Sequence, residues 1–317
     1  MQIEKRKKIK KVLQKAGIFQ VIKKVYDNFW LVKNVVERQI VWKPEVKSIE
    51  ETIQYIAEHE VSVSRYGDGE LRWMIGVADN DSFQDSDASM QQRLQEILGS
   101  DRKDHIVCIS NCFGKYYTES WNQRAKRYHN ILLGKFRKKW MHYMKKEKIY
   151  YNACAFRIYS LFEDKSNCAR NFELSKKIWQ DRMLLIVEGE QTRLGVGNTL
   201  FDNAAGIRRV LCPAKNAYGK YDEILSKTVE EAKKLENPIV LIALGPTATI
   251  LAYDLAGKGV RAIDIGHIDI EYEWFLRSAS ERIPIPGKYV NEAARLGGTD
   301  VEDIHDEEYS SQIVCRI

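Results

Sequence analysis

Two carboxylates, Asp68 and Glu70, stand two residues apart in Arg65-Tyr66-Gly67-Asp68-Gly69-Glu70, each next to a glycine. Oxygen donors at this spacing suit a hard divalent cation, Mn2+ or Mg2+. A cation held there carries a diphosphate while leaving coordination positions open. Arg65, just upstream, adds positive charge for the same anion. The preceding Val61-Ser62-Val63-Ser64 alternates β-branched residues with serines and predicts a short strand that feeds the turn. Taken alone, Gly67-Asp68-Gly69 is also ordinary turn chemistry, so the metal reading depends on the rest of the chain.

From residue 183 onward, apolar runs at 183–188, 209–212, 239–244 and 261–265 alternate with helical patterns at 222–236 and 247–258. Strands apolar on both faces, with helices between them, predict an α/β fold: a Rossmann-like, mostly parallel sheet with helices on both faces. In such sheets ligands bind beyond the carboxyl ends of the strands. The segments in that position are rich in glycine or polar groups: Gly67 to Glu70, Gly189 to Asn198, Pro213 to Tyr218, Gly245-Pro246-Thr247, and Gly266 to Glu271.

Each of these segments offers a candidate. Gly245, Pro246 and Thr247 open a helix whose free N–H groups suit a phosphate. Arg193 with Gly195 and Gly197 sets a guanidinium beside backbone that a diphosphate or ribose can approach closely. No Gly-x-Gly-x-x-Gly stands between a strand and a helix, so the dinucleotide fingerprint is absent. Glu190 and Asn198 are candidates for bonding a ribose or base edge, and Arg157 for a second phosphate-facing cation. His267, Asp269 and Glu271 alternate, and share one face if the strand runs past Gly266. His267 is then a third metal ligand or a phosphate donor. Asp269 or Glu271 is the candidate base that deprotonates an acceptor hydroxyl.

The N-terminal half supplies the supporting elements. Ser48 and Glu51 predict a capping box for a helix over 48–59, with Ile49, Ile53 and Ile56 on one face. Leu71, Trp73, Met74 and Ile75 bury a helix after the acidic turn. Residues 79–88 read as a loop, Ser89 and Gln92 as the cap of the next helix, and 106–110 as a buried strand. A basic, aromatic stretch over 118–147 either lines a groove for a charged substrate or packs its rings beneath solvated lysines. Three regions follow: a basic amphipathic helical arm over 1–46, a main domain over 47–296, and a loosely held polar tail over 297–317.

Charge is unevenly placed. Residues 1–48 hold thirteen Lys and Arg against four Asp and Glu, a net +9, so the rest of the +6 chain carries −3. The main domain therefore lacks the basic face a nucleic-acid partner requires. The arm has the composition for peripheral contact with an anionic membrane surface, or for packing on the main domain. The six cysteines form no Cys-x-x-Cys pair and read as reduced thiols. With neither a secretory leader nor a run of about 20 apolar residues, the expected location is cytoplasmic, at most against the inner face of the cell membrane.

Arg65-Tyr66-Gly67-Asp68-Gly69-Glu70, Glu188-Gly189-Glu190 with Arg193 to Asn198, Leu244-Gly245-Pro246-Thr247-Ala248, and Asp264 to Trp274 together resemble the bacterial GT-D type glycosyltransferases. The resemblance spans roughly 48–292, including Gly287-Lys288-Tyr289-Val290-Asn291-Glu292, and leaves the arm outside. It implies one Rossmann-like domain, a UDP-sugar donor, a metal at Asp68 and Glu70, and surface-glycan synthesis on a glycan or glycosylated protein acceptor. A homo-oligomer is compatible with it. A nucleotide-sugar hydrolase, a nucleotidyltransferase, or a non-catalytic nucleotide-binding scaffold would use the same groups. Every version requires the acidic pair to face the same crevice as the glycine-bearing segments of the C-terminal half.

Overall fold

The computed structural model describes residues 18–77, 84–85, 87–114, 120–303 and 305–317. Its strands are β1 (Glu45–Val46), β2 (Ser62–Tyr66), β3 (His105–Ile109), β4 (Ile149–Asn152), β5 (Met183–Gly189), β6 (Gly206–Cys212), β7 (Ile239–Ala243), β8 (Ala262–Asp264) and β9 (Ile313–Arg316). They form one sheet in the order β1-β4-β3-β2-β8-β7-β5-β6-β9. Every pairing between them is parallel. The expected Rossmann-like α/β architecture is thus present.

Alternation along single strands explains the layering. In β5, Leu184 and Ile186 join the core on one face, while Leu185 and Val187 join the core on the other. All four are fully buried, as a strand covered by helices on both sides must be. The covering helices include α1 (Ile18–Ile40), α2 (Ile49–Glu58), α3 (Asp68–Met74), α4 (Ala88–Leu98), α5 (Gln123–Met141), α6 (Cys168–Lys176), α7 (Tyr221–Ala232), α8 (Pro246–Gly257), α9 (Ile268–Leu276) and α10 (Glu307–Gln312). Helix α2 starts at the expected capping box, with Ser48 and Glu51 bonding each other's backbone at 2.8 and 3.1 Å. The cap of α4 is instead Asp87, which accepts from the Met90 N–H, and Ser89 lies inside the helix. All six cysteines are unpaired.

The topology fixes where a ligand can sit. From β2 the chain moves outward through β3 to β4; from β5 it works back through β7 to β8, which lies beside β2. The order therefore reverses between β2 and β8. These two share a single register pair, Val63 with Ile263. Loops leaving them diverge, which opens a crevice at the carboxyl edge.

The C-terminal stretch differs from expectation, while the N-terminal arm is helical and packs on the main domain, one of the two readings of its composition. The polar stretch after 297 is not loose throughout: α10 leads into β9, which adds to β6 as the edge strand. Arg209 on β6 donates to Gln312, tying that addition to the buried interior. Within the arm, residues 1–17 lie outside the described residues; α1 follows and packs on α5. Contact is close because Gly134 lacks a side chain: a Cβ there would stand 2.1 Å from the Trp30 carbonyl oxygen. Asn34 bonds Asn130 at 2.8 Å and accepts from the fully buried Arg137 at 2.9 Å. Gly134→Ala should force the helices apart and cost about 1–3 kcal/mol, the usual range for overpacking. Urea unfolding measures this, and an unchanged midpoint would refute the close approach.

Candidate active site

The carboxyl edge holds a cleft of about 1360 Å³, large for a small-molecule site. Arg65, Gly67, Asp68 and Glu70 line it from the β2 exit, Gly266 and His267 from the β8 exit, Gly245 from β7 and Gly189 from β5. Pro213, Ala214 and Ala217 line it after β6, so the acidic pair and all four C-terminal segments share one crevice, at the reversal of strand order. Arg157 and Asp269 line it too.

The acidic pair sits on a helix start rather than a bare turn. Gly67 is the N-cap of α3, Asp68 its first residue and Glu70 its third. Glu70 reaches back to accept from the Gly67 N–H at 2.9 Å, which settles one orphan donor of the helix. The partial positive charge of the helix start favours both carboxylates. Asp68 accepts from the Tyr128 hydroxyl at 2.6 Å. Two carboxylates suit a magnesium-like cation, which takes one or two protein ligands plus phosphate oxygens and water. His267 does not complete a triad with them: among the described residues no three His, Cys, Asp or Glu side chains converge to hold a metal. Its Nδ1 instead faces Glu292 Oε2 at 3.3 Å.

Arg65 is set by its neighbours. A Cβ at Gly266 would stand 2.0 Å from its guanidinium, and Gly266 itself adopts φ +54°. Both facts demand glycine. Arg65 Nε lies 3.7 Å from Asp264, which also accepts from Thr249 at 3.1 Å. Burial pushes the Asp264 carboxyl up to about 7; Arg65 opposes the shift and Glu70 adds to it.

Around His267 the charges form a ring. Arg157 bridges Glu292 and, at 3.6 Å, Glu271. Burial opposes ionisation of Glu292, yet His267 and Arg157 hold its carboxyl down at about 2. Glu292 draws His267 up, but burial, Arg157 and Arg65 prevail and leave it below its ordinary value. Burial, then Arg157, push Arg282 down against the pull of Glu292 and Glu271, and Arg124 adds to the push. Cations crowded this way gain from a bound anion.

Several expectations need correction. The chain does not continue as a strand past Gly266: α9 begins at Ile268, so His267, Asp269 and Glu271 point in different directions. Asp269 is 1% exposed and accepts from Lys288 at 2.9 and 2.7 Å, from the Gly195 N–H and from Asn198. Glu271 is fully buried and accepts from the Tyr159 and Ser160 N–H groups and the Ser160 hydroxyl. Arg193 turns from the cleft to donate to the Gly287 and Glu302 carbonyls, both at 2.8 Å. Asn198 donates to Asp269 and Glu273, and Glu190 is exposed outside the lining. Gly195 leaves no room for a Cβ, which would meet the Phe201 ring at 2.3 Å. Gly195 and Gly197 shape the loop while Gln191, Thr192 and Leu194 face the cleft. Pro246 and Thr247 are buried behind Gly245.

Sequence reasoning assigned no role to Tyr128, Arg282, Asp264, Lys288 or Glu292. Lys288 and Glu292 lay in the noticed stretch Gly287 to Glu292, Tyr128 in the basic aromatic stretch 118–147, and Asp264 at the head of Asp264 to Trp274, but none was singled out. Arg282 lay outside every such stretch, and spacing gives no sign of it.

A raised Asp264 favours the neutral form in the folded chain. Its stability contribution is full below the ordinary carboxylate value, then is lost as pH rises through about 7. Between about pH 4 and pH 8 the wild type should therefore lose thermal midpoint relative to Asp264→Asn. A difference independent of pH would contradict this environment.

A family model described as "Glycosyltransferase GT-D fold" matches residues 63–293. "Glycosyltransferase GlyD" of Streptococcus pneumoniae serotype 4 (strain ATCC BAA-334 / TIGR4) is 35% identical over 297 residues, 90% of this chain and 34% of that protein. "Probable glycosyl transferase Gly" of Streptococcus gordonii is 38% identical over 288 residues, 89% of this chain and 39% of that protein. The chain thus spans little more than a third of these relatives. A solved structure titled "A New Glycosyltransferase (DUF1792) from Streptococcus sanguinis" superposes with TM-score 0.80 at 36% identity, covering 87% of this chain and all of that one. Another, titled "The highly conserved domain of unknown function 1792 has a distinct glycosyltransferase fold", gives TM-score 0.82 at 35% identity, covering 90% and 99%. With the family model matched across most of its length, the chain belongs to the glycosyltransferase GT-D fold family.

Proposed function

We propose that the chain transfers a hexose from a UDP-sugar to a hydroxyl of a glycan or glycosylated protein, with a divalent cation, Mn2+ or Mg2+, at Asp68 and Glu70. One observation carries the reading: an acidic pair and a set of crowded guanidinium groups open onto one cleft at the strand reversal. When bound, the cation neutralises charge on the diphosphate. Arg65 and Arg282 add positive charge for the departing UDP, and Gly245 and Gly189 let its backbone-facing side approach closely. Tyr128 orients Asp68 by its hydrogen bond.

Asp269 and Glu271 are better read as positioning residues than as the base. Each already accepts three or more hydrogen bonds. Asp269 fixes Gly195 and Asn198 against α9, and Glu271 fixes the segment 159–160. For proton removal from the acceptor hydroxyl we favour His267. Its lowered pKa favours the neutral ring at neutral pH, and Glu292 Oε2 lies 3.3 Å from its Nδ1. Arg193, Asn198 and Glu190 act outside the nucleotide contact set.

Asp68→Ala and Glu70→Ala should each reduce UDP-sugar turnover by at least about a hundredfold, with the fold retained. His267→Asn should lower kcat by about 10²–10⁴-fold while the donor KM changes little. Turnover assays with a panel of UDP-sugars and added metal read both. Normal activity in both acidic variants would end the assignment. Donor cleavage at one rate with and without acceptor would make the chain a hydrolase.

A further inference from the structure

Helix α1 is packed inside out. Three of its polar side chains turn toward the protein: Asn34 and Glu37 are buried against α5, and Asp27 lies beside Arg127 at 3.8 Å. Most of its apolar side chains turn outward, Phe19, Trp30 and Leu31 being half-buried. Ile22, Val25, Phe29, Val32, Val36 and Ile40 recur at helical spacing along one stripe, and each is more than half exposed, with Val25 at 66% and Ile40 at 73%. A water-facing stripe of this kind is costly unless something covers it.

The charges around the stripe say what covers it. Among the exposed residues of α1, the charged ones are Lys23 and Lys24, with no Asp or Glu. Asp27 and Glu37, the two acids of the helix, are turned inward. Residues 1–17 carry seven Lys and Arg against the single acid Glu4, a net +6 directly upstream. A second copy of the chain would set lysine against lysine without an acid to pair it, unlike the mixed charges that flank a coiled-coil seam. An anionic lipid surface matches both features: headgroup charge for the lysines and an acyl boundary for Val, Ile and Phe. No described helix is long and apolar enough to cross a membrane, so α1 would lie in the interface plane.

We infer that the outward face of α1 docks the chain onto an anionic bilayer. The site is separate from the cleft and does not depend on the reaction proposed for it. Flotation of the full chain with phosphatidylcholine vesicles, with and without about one third phosphatidylserine, tests it. Binding should require phosphatidylserine and weaken at about 0.5 M salt. Val25→Ser/Val32→Ser should reduce binding about tenfold or more, as should Lys23→Glu/Lys24→Glu. These positions are exposed, so thermal midpoints should hold and UDP-sugar turnover in solution should persist. No binding by the wild type, or full binding by the Val25→Ser/Val32→Ser variant, overturns the inference. A concentration-dependent dimer in sedimentation that dissolves in that variant, without vesicle binding, also overturns it and gives the stripe to a second copy.

Discussion

Arg65 lies flat across Gly266, and much of the carboxyl edge follows from that contact. β2 and β8 meet at one register pair, so the sheet hydrogen bonds alone hold their ends weakly together. The guanidinium spans the gap from the β2 side, above Asp264 on β8. Any side chain at 266 would collide with it, and the positive φ there turns the chain into α9. One arginine and one glycine therefore fix how the two halves of the sheet face each other, and with that the distance between the acidic pair and His267. The raised Asp264 fits this picture: Arg65 sits too far off, at 3.7 Å, for a full ion pair, and burial wins.

The buried carboxylates divide into braces and cleft groups, and magnitude separates them. Leaving one partner of a buried pair uncompensated costs about 3–5 kcal/mol, so a carboxylate with several short donors is bound to its place. Glu188 accepts from Arg209 and from the Leu194 N–H, both at 2.6 Å. Asp269 holds Lys288, Gly195 and Asn198 together. Between them the glycine-bearing loop is gripped from β6 and from α9. Asp68, Glu292 and His267 sit at the surface of this frame, with fewer partners and with access to the cleft. The loop is rigid because acids behind it are saturated; the cleft is polar because those in front are not.

Much of this was legible in the sequence, and the limits have physical causes. Sequence runs gave β2, β3, β5, β7 and β8 within a residue or two, because parallel strands buried on both faces leave a dense signal; β6 starts three residues before the expected run, where Gly206, Ile207 and Arg208 are not buried. The glycine and polar segments after them marked the binding edge, since the edge of a parallel sheet is a topological property. Two-residue β1 and the short β4 carry too few residues for periodicity to register. β9 follows an acidic run and is only half-buried, so its composition reads as tail. Side-chain direction was the larger loss. Arg193 has φ +50°, a backbone state that throws its guanidinium away from the glycines beside it. Nothing in residue order reports that turn. Nor does order show Tyr128, sixty positions from Asp68, meeting it across the cleft mouth.

Tyr128 also ties the arm to the chemistry. It rides on α5, the helix that α1 clasps through Gly134, Asn130 and Arg137. One face of α5 thus answers to the arm, and its N-terminal end touches the acidic pair. A buried Arg137 spans the two, donating to the Phe113 carbonyl beyond β3 as well as to Asn34. If α1 slid by a helical turn, Asn34 and Gly134 would lose their matches together, and α5 would have to tilt or break those bonds. The position of the Tyr128 hydroxyl over Asp68 is therefore set partly by a helix that contributes nothing to the cleft. A single helix, α5, thus carries both the arm's contacts and the hydroxyl that meets Asp68.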